Sequence, residues 1–588
     1  MKTKITIACV VIMAAVVYWA IAQTPPAPFA NIFPTGALMY LEAKDFSSMV
    51  GDWDRSDEKA VWLKSANYEA FSRSALFLKL GQAQTDFATA AGVPPDYALL
   101  KSVAGANSAL AIYNIGALQF LYVTRLPSAR AMNTALWKAR GNYQTRKAGG
   151  VEFYVKEDAA TNRVAAFAYS GDLLMLATRE DLMAGVLELL ASSTVGSNRT
   201  GQAPSLASEK WFDDTIQAAL PGSNDLRLVY NLDRLEQVPQ FRSHWVQRGA
   251  SLREFSAGLA DLERANGEMR ERRVLLRANA AAAISDESAT GQLLAAVPDD
   301  AGFYRARLIS GSGDPDQAER AIEEKIFAAT APAKPRNDFA PAVELEREQG
   351  SEQDLETRID QPPLTDDRVS RAFAALRERL SAKALQAMLE VGSTSADADQ
   401  VFVGSQSAIV LLASANWDAE AIRGAITSAA GSLWSNGGLG AGWRARAASN
   451  GVWELDGLGR IAMAVDGRWL VIGSFAGTSG ANSGNSTDLV SAILARRNRP
   501  AVAGSVYAAG WRHARELPNF ERMMRLIDFP QSHAGPGDAP GGQGREPMFY
   551  SENIASFGRV LGRLQSAAIA VHDAGGMLRE TVDYRIAP

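Results

Sequence analysis

Hydrophobic and polar positions divide this chain into a short apolar lead and a long amphipathic body. The lead runs from Ile5 to Ala22, broken only by Thr6, after Lys2 and Lys4 and before Gln23 and Thr24-Pro25-Pro26-Ala27-Pro28. Positive charge ahead of an apolar segment, with none close behind, predicts a cytoplasmic N-terminus and transfer of everything after Gln23 across the membrane. Residues 1–22 therefore read as a signal peptide or an N-terminal transmembrane anchor. Ala20-Ile21-Ala22 suits cleavage, whereas the length of the run and Tyr18-Trp19 suit an uncleaved helix with an interfacial belt. Residues 23–33 read as a short extended stalk rich in proline and alanine.

The body repeats its pattern. Pro34-Thr35-Gly36-Ala37-Leu38-Met39-Tyr40 returns as Pro298-Asp299-Asp300-Ala301-Gly302-Phe303-Tyr304. Phe71-Ser72-Arg73 and Val369-Ser370-Arg371 each open a long apolar-periodic stretch, ending at Gly92 and Gly392. Leu126-Pro127-Ser128 and Asn416-Trp417-Asp418 read as helix starts, with Ser128 or Asn416 near the cap. Then come short β-rich runs punctuated by glycine. Gly150-Val151 pairs with Gly451-Val452, and Gly171-Asp172 with Gly467-Arg468, which is the pattern of antiparallel strands joined by tight turns. Asp181-Leu182 and Asp488-Leu489 begin helices, and Val229-Tyr230 returns as Val506-Tyr507. A last hairpin closes each copy, with Asn266-Gly267 facing Ala574-Gly575 and Met269 lying over Met577.

This order predicts an α+β fold of two tandem homologous modules, residues 34–297 and 298–588, following the N-terminal segment. Each reads as strand, helices, strand, helix, a meander of three or four strands, helix, strand, helix and hairpin. The expected module is a largely antiparallel sheet flanked by helices, which cover one face. The meander argues against a doubly wound parallel sheet. The second copy carries insertions near 331–366, 476–487 and 530–547, rich in Pro, Gly, Ser or acidic residues and expected to loop out.

Charge and cysteine usage narrow the function classes. Sixty basic against 65 acidic residues leave a net charge of −5, without the basic domain that nucleic acid calls for. The densest basic patch, Arg270, Arg272, Arg273 and Arg277, reads as a solvated strand face. Cys9 is the only cysteine and lies in the apolar lead, so the body has no disulfide, thiolate metal site or cysteine nucleophile.

Catalytic patterns are weak. His244, His513, His533 and His572 share no metal-type spacing, and each reads as a surface or packing residue. Ser56-Asp57-Glu58-Lys59 fits Ser-x-x-Lys, but its acidic pair suggests an exposed turn and its companion motifs are missing. Gly438-Leu439-Gly440-Ala441-Gly442 lies between helix and strand, the reverse of a dinucleotide loop. Asp314 with Asp316, and Asp397 with Asp399, read as loop caps rather than cation ligands. The sequence thus names no catalytic residue, no metal ligand and no cofactor. Most of the many tryptophans fall in amphipathic patterns and read as core anchors. Trp53 and Trp62 differ, because their copy-two counterpart is acidic and lacks tryptophan, which makes them the candidate binding surface.

The export segment followed by Pro34-x-x-Ala37-x-x-Tyr40, then Asp52-Trp53-x-x-Ser56, Phe71-Ser72-Arg73-Ser74 and the Gly150-Val151 meander, resembles a class of large exported bacterial proteins that carry a domain of unknown function. The resemblance covers most of the first copy and, more loosely, the second, where Trp-x-x-Ser is missing. It implies no reaction, cofactor or site. The expectation is an exported envelope protein, held in the inner membrane facing the periplasm, or secreted if cut after Ala22. Its work is expected to be non-catalytic binding or scaffolding. Its partners are the membrane through the N-terminal helix, with a protein or lipid for the body, and no nucleic acid. A carrier or sensor of a lipid or other apolar ligand is the first alternative, and a carboxylate-based hydrolase the second.

Overall fold

The computed structural model describes residues 28–73, 75–194, 204–239, 241, 253–265, 267–284, 286–309, 318–322, 367–381, 385–395, 404–434, 442–445, 451–456, 460–476, 489–528 and 558–587. The apolar lead and most of the three insertions lie outside the described residues. Among the described residues no helix is long and apolar enough to cross a membrane. The protein mixes helix with a large antiparallel sheet. By contacts it divides into two units: one runs to Val50 and adds Gly81–Gln217 and Leu228–Asn231, and the other holds Gly51–Leu80, Ala218–Arg227 and everything from Leu232 onward.

In the first unit, β4 (Gln144–Ala148), β5 (Val151–Asp158), β6 (Arg163–Ser170) and β7 (Leu173–Ala177) form the expected meander. The ladder continues through β3 (Gln119–Arg125), β2 (Asn107–Asn114) and β1 (Met39–Lys44), antiparallel throughout, and β8 (Leu226–Asn231) lies beside β1. Gly149 and Gly150 take φ of +53° and +80° in the two-residue turn before β5, a conformation that a Cβ would penalise. The helix Glu180–Thr194 packs on this meander and buries Met183, Val186 and Leu187 completely. Phe29–Ile32 form a 3-10 turn whose Phe29, Ala30 and Ile32 are buried, and Phe33 meets Tyr40 edge-to-face at 5.4 Å. The stretch expected as an extended stalk therefore becomes body from Phe29, because its aromatic residues complete this core.

In the second unit, one antiparallel ladder runs through β9 (Phe255–Ala265), β10 (Glu268–Arg277), β20 (Met577–Ile586), β19 (Leu564–Asp573), β18 (Tyr507–Trp511), β11 (Phe303–Leu308), β12 (Leu385–Ser395) and β13 (Gly404–Ala413). It continues through β17 (Trp469–Ala476), β16 (Arg460–Asp466), β15 (Val452–Asp456) and β14 (Gly442–Ala445). The hairpin β9–β10 belongs to this unit, although it precedes residue 298, because β10 pairs with the last strand of the chain.

Helices cover both faces of this sheet, where one covered face was expected. On one side Ile409, Leu411, Ile461, Met463, Leu470 and Ile472 pack with Phe373, Leu376, Leu380, Ile422 and Ile426 from the helices Asp367–Ser381 and Ala419–Trp434. On the other, Ala408, Val410, Leu412, Ala462 and Val471 meet Leu293, Val490 and Ile493 from Ser288–Ala295 and Leu489–Arg496. The unbroken apolar run Ala408-Ile409-Val410-Leu411-Leu412-Ala413 is what a strand buried on both faces requires.

Three local readings shift. Gly92 ends the helix Ala75–Ala91 at φ +66°, but Gly392 sits inside β12, where a Cβ would stand 2.5 Å from the Phe303 ring. The helix Ala419–Trp434 is capped by Asp418, whose Oδ1 accepts from the backbone N–H groups of Glu420 and Ala421, and Ser128 makes no side-chain cap. The last turn lies at Gly575-Gly576, since Ala574 N–H donates to the Met577 carbonyl, so Met577 matches Glu268 rather than Met269.

Candidate functional site

The stretch around Trp53 and Trp62 folds as consecutive short helices, Phe46–Arg55, Asp57–Leu63 and Ala66–Ser72, followed by Ala75–Ala91. The same device makes the first two corners. Ser56 Oγ donates to the Trp53 carbonyl at 2.9 Å and accepts the Lys59 N–H at 3.1 Å. Nine residues on, Ser65 Oγ donates to the Trp62 carbonyl at 2.7 Å and accepts the Tyr68 N–H at 3.0 Å. Each hydroxyl closes one helix and caps the next, satisfying one orphaned group at either end. Ser-x-x-Lys is thereby explained as a helix N-cap, with Lys59 Nζ paired to Asp54 at 2.7 Å.

This helical stretch presents apolar side chains to solvent. Seven large hydrophobic residues are exposed among the described residues, and Trp53, Leu63, Phe71 and Leu78 are four of them, all within this one stretch. Behind them runs a chain of edge-to-face rings, with Trp62 on Tyr68 at 6.0 Å, Tyr68 on Phe77 at 6.3 Å and Phe77 on Phe71 at 5.4 Å. Such pairs prefer this geometry and hold the surface in one shape. Trp53 and Trp62 make no ring contact with each other among the described residues. Trp62 is half-buried in the ring chain, and Trp53 alone of the described tryptophans is exposed, at 45%. Trp417 and Trp469, by contrast, are buried as core anchors. Tyr68, Phe77 and Leu78 are not singled out by the sequence, which named Phe71 only as a repeat match; the Trp-x-x-Ser pattern repeated at nine-residue spacing is the signal for the two serine corners.

The basic patch on β10 is neutralised by carboxylates. Arg270 pairs with Asp583, Arg272 with Glu263 at 2.8 Å, Arg273 with Glu580 at 2.5 Å and with Glu271, and Arg277 with Asp573 at 2.6 Å and Glu254 at 3.5 Å. Asp261, only 1% exposed, takes both prongs of Arg227 at 2.7 Å and the Asn224 amide at 3.2 Å. Arg272 also donates to the Ser223 carbonyl, and Gly222 makes room for it, since a Cβ there would lie 2.6 Å from the guanidinium carbon. The Ser223 hydroxyl, followed by Arg272, holds the Glu263 carboxyl below its usual range. Each of these guanidinium groups already has a carboxylate, so the strand face offers no ready anion site.

Buried polar groups elsewhere serve the fold. Glu516, fully buried, accepts from the Thr394 N–H at 3.0 Å and its hydroxyl at 2.5 Å, tying the helix His513–Asp528 to β12. Gly302 admits it, because a Cβ there would stand 1.9 Å from Oε1. His513 is buried, and burial pushes its pKa down. His572 Nδ1 lies 2.8 Å from Glu287. His244, His533 and the aspartate pairs at 314/316 and 397/399 lie outside the described residues. Among the described residues no group of three or more His, Cys, Asp or Glu is placed to hold a metal ion. Asp158, Glu263, Asp286 and Asp299 all have carboxyl pKa values lowered by hydrogen bonds, the opposite of what a general acid needs.

No family model and no curated protein matches the chain. A solved structure titled "Structure of crystal form I of TP0453" is similar at 13% identity over 44% of this chain and 82% of that chain, with a TM-score of 0.23. A likeness this slight carries no argument.

Proposed function

We propose that the protein is an exported, membrane-anchored component of the bacterial envelope that works by binding rather than catalysis. Trp53, Leu63, Phe71 and Leu78, four exposed large hydrophobic residues within one stretch of consecutive helices, carry this reading. Water-exposed apolar side chains gathered in one place mark an interaction surface, whereas singly scattered ones need no explanation. The export reading rests on the apolar run Ile5–Ala22 behind Lys2 and Lys4. A build of two tandem modules is supported by matching strand orders, β4-β5-β6-β7-β3-β2-β1 in one unit and β14-β15-β16-β17-β13-β12-β11 in the other.

Fractionation of cells producing the full chain tests the placement. The protein is expected in the membrane pellet, resistant to carbonate and open to protease from the periplasmic side. A soluble cytoplasmic protein would overturn the reading. A photo-crosslinking residue at Leu78, compared with one at Val502, tests the surface: adducts at 78 and none at 502 are expected, and equal yields would remove its special status.

A further inference from the structure

We infer that four arginines of the second unit, gathered at the turn Pro298–Ala301, form a binding site for a phosphate group, with the Asp299 carboxylate standing where that anion would bind. The turn is closed by the Ala301 N–H, which donates to the Pro298 carbonyl at 3.0 Å. Arg496 ends the helix Leu489–Arg496 and Arg499 follows it, and their guanidinium groups lie 3.0 and 3.8 Å from the Asp299 carboxylate. Arg512 follows β18, and Arg515 lies in the first turn of the helix His513–Asp528. They donate to the backbone carbonyls of Asp299 and Asp300. Four cations thus meet at two consecutive residues. The hydrogen bond from Arg496 first, then its charge and those of Arg499 and Arg512, hold the Asp299 carboxyl below its usual range, as a positive surrounding requires.

Unlike the arginines of β10, these four share too few carboxylates. Asp299 alone serves Arg496 and Arg499, Arg515 has Glu516 at 3.4 Å, and among the described residues Arg512 makes no ion pair. A backbone carbonyl accepts a hydrogen bond without cancelling charge. Even with Asp300 counted, four positive charges face the three negative ones of Asp299, Asp300 and Glu516. Arg512 and Arg515 also stand at a helix N-terminus, where the dipole disfavours cations and favours an anion, so helix stability does not call for them. Arg499, Arg512 and Arg515 are exposed, and guanidinium forks match the several acceptor oxygens of a phosphate. Asp299 is 76% exposed and free to turn aside into water. The sequence repeat marks the cluster as local: Thr35 and Gly36 stand for Asp299 and Asp300, and Leu189, Ser192 and Asn231 for Arg496, Arg499 and Arg512.

Calorimetric titration of the full chain, solubilised in a neutral detergent at low ionic strength, with inorganic phosphate tests the site. Saturable binding is expected, weakened at least about threefold by Arg499→Ala or Arg512→Ala and tightened about threefold by Asp299→Asn, which removes the competing carboxylate. Arg270→Ala, whose guanidinium is already neutralised by Asp583, should leave the affinity unchanged. A cluster that only pins the turn gives no tightening in Asp299→Asn. The site is therefore overturned if wild type and Asp299→Asn both fail to bind phosphate, or if Asp299→Asn binds no more tightly than wild type. Should the arginine variants fail to fold, the Asp299→Asn comparison decides alone. Native mass spectrometry of the same preparations separates the sources of the phosphate. A phospholipid retained by wild type and lost in Arg512→Ala assigns a lipid headgroup, whereas phosphate binding without such a lipid assigns a soluble phosphate ligand.

Discussion

Two regions of the second unit treat their unusual side chains in opposite ways. The seam of β10 with its neighbouring strands gathers the densest basic patch in the sequence and neutralises it, Arg270 and Arg273 facing Asp583 and Glu580 of β20, Arg272 facing Glu263 of β9 and Arg277 facing Asp573 of β19. The helical stretch closes its first two corners with Ser56 and Ser65 and leaves Trp53, Leu63, Phe71 and Leu78 facing water. Conspicuous charge turned out to be structural, and the less conspicuous apolar residues are the ones left facing water. Composition ranks residues by oddity, whereas only geometry shows which already have their complement.

The sharpest test of this strand network is Asp261→Ala, which removes from a nearly fully buried site the carboxylate that takes both prongs of Arg227 and the Asn224 amide. It should cost about 3 kcal/mol in urea unfolding; a loss below about 1 kcal/mol would mean that the network is ornamental. At the corners, Ser65→Ala removes both a cap and a closing hydrogen bond, and about 1 kcal/mol is expected by the same measurement. The double variant Arg270→Ala with Asp583→Ala deletes a half-exposed pair. It should change stability by less than about 0.5 kcal/mol, which would confine the seam's strength to its buried part.

The smallest expected effect is in pH. Burial lowers the His513 pKa in the folded state, so the unfolded chain binds its proton more readily. Stability from this residue is complete above the ordinary histidine value and is lost as pH falls below it. Melting temperature should therefore drop between pH 7.5 and pH 5.5, and the drop should shrink in His513→Leu. The seam adds a separate loss at lower pH. There Glu263, held below its usual range, is protonated only under acid conditions.

Much of the fold was legible because turns and meanders depend on local chemistry. Gly150, Gly171, Gly451 and Gly467 all take positive φ between the strands that their positions announced. The second covered sheet face was not read, although Ala408–Ala413 carries no polar residue on either side of its alternation. Gly392 misled because a glycine after an apolar stretch resembles a helix end, whereas its role is to leave room for the Phe303 ring across the ladder. Of the candidate surface, Trp53 and Trp62 were visible as differences between copies. Leu63 and Leu78 were not, since a leucine in an amphipathic helix shows its exposure only once its neighbours are placed.

The pairing of β10 with β20 also bears on how the protein is made. Arg273 finds Glu580 across 307 residues of chain. At about 5–20 residues per second the β9–β10 hairpin waits roughly 15–60 s, one long edge open, before its neighbour is synthesised. An open edge is a template for pairing with any passing strand, and charged side chains are the usual guard against it. The arginines and glutamates of β10 thus serve twice in time, first as repellents on a nascent edge and later as the ion pairs that seal it.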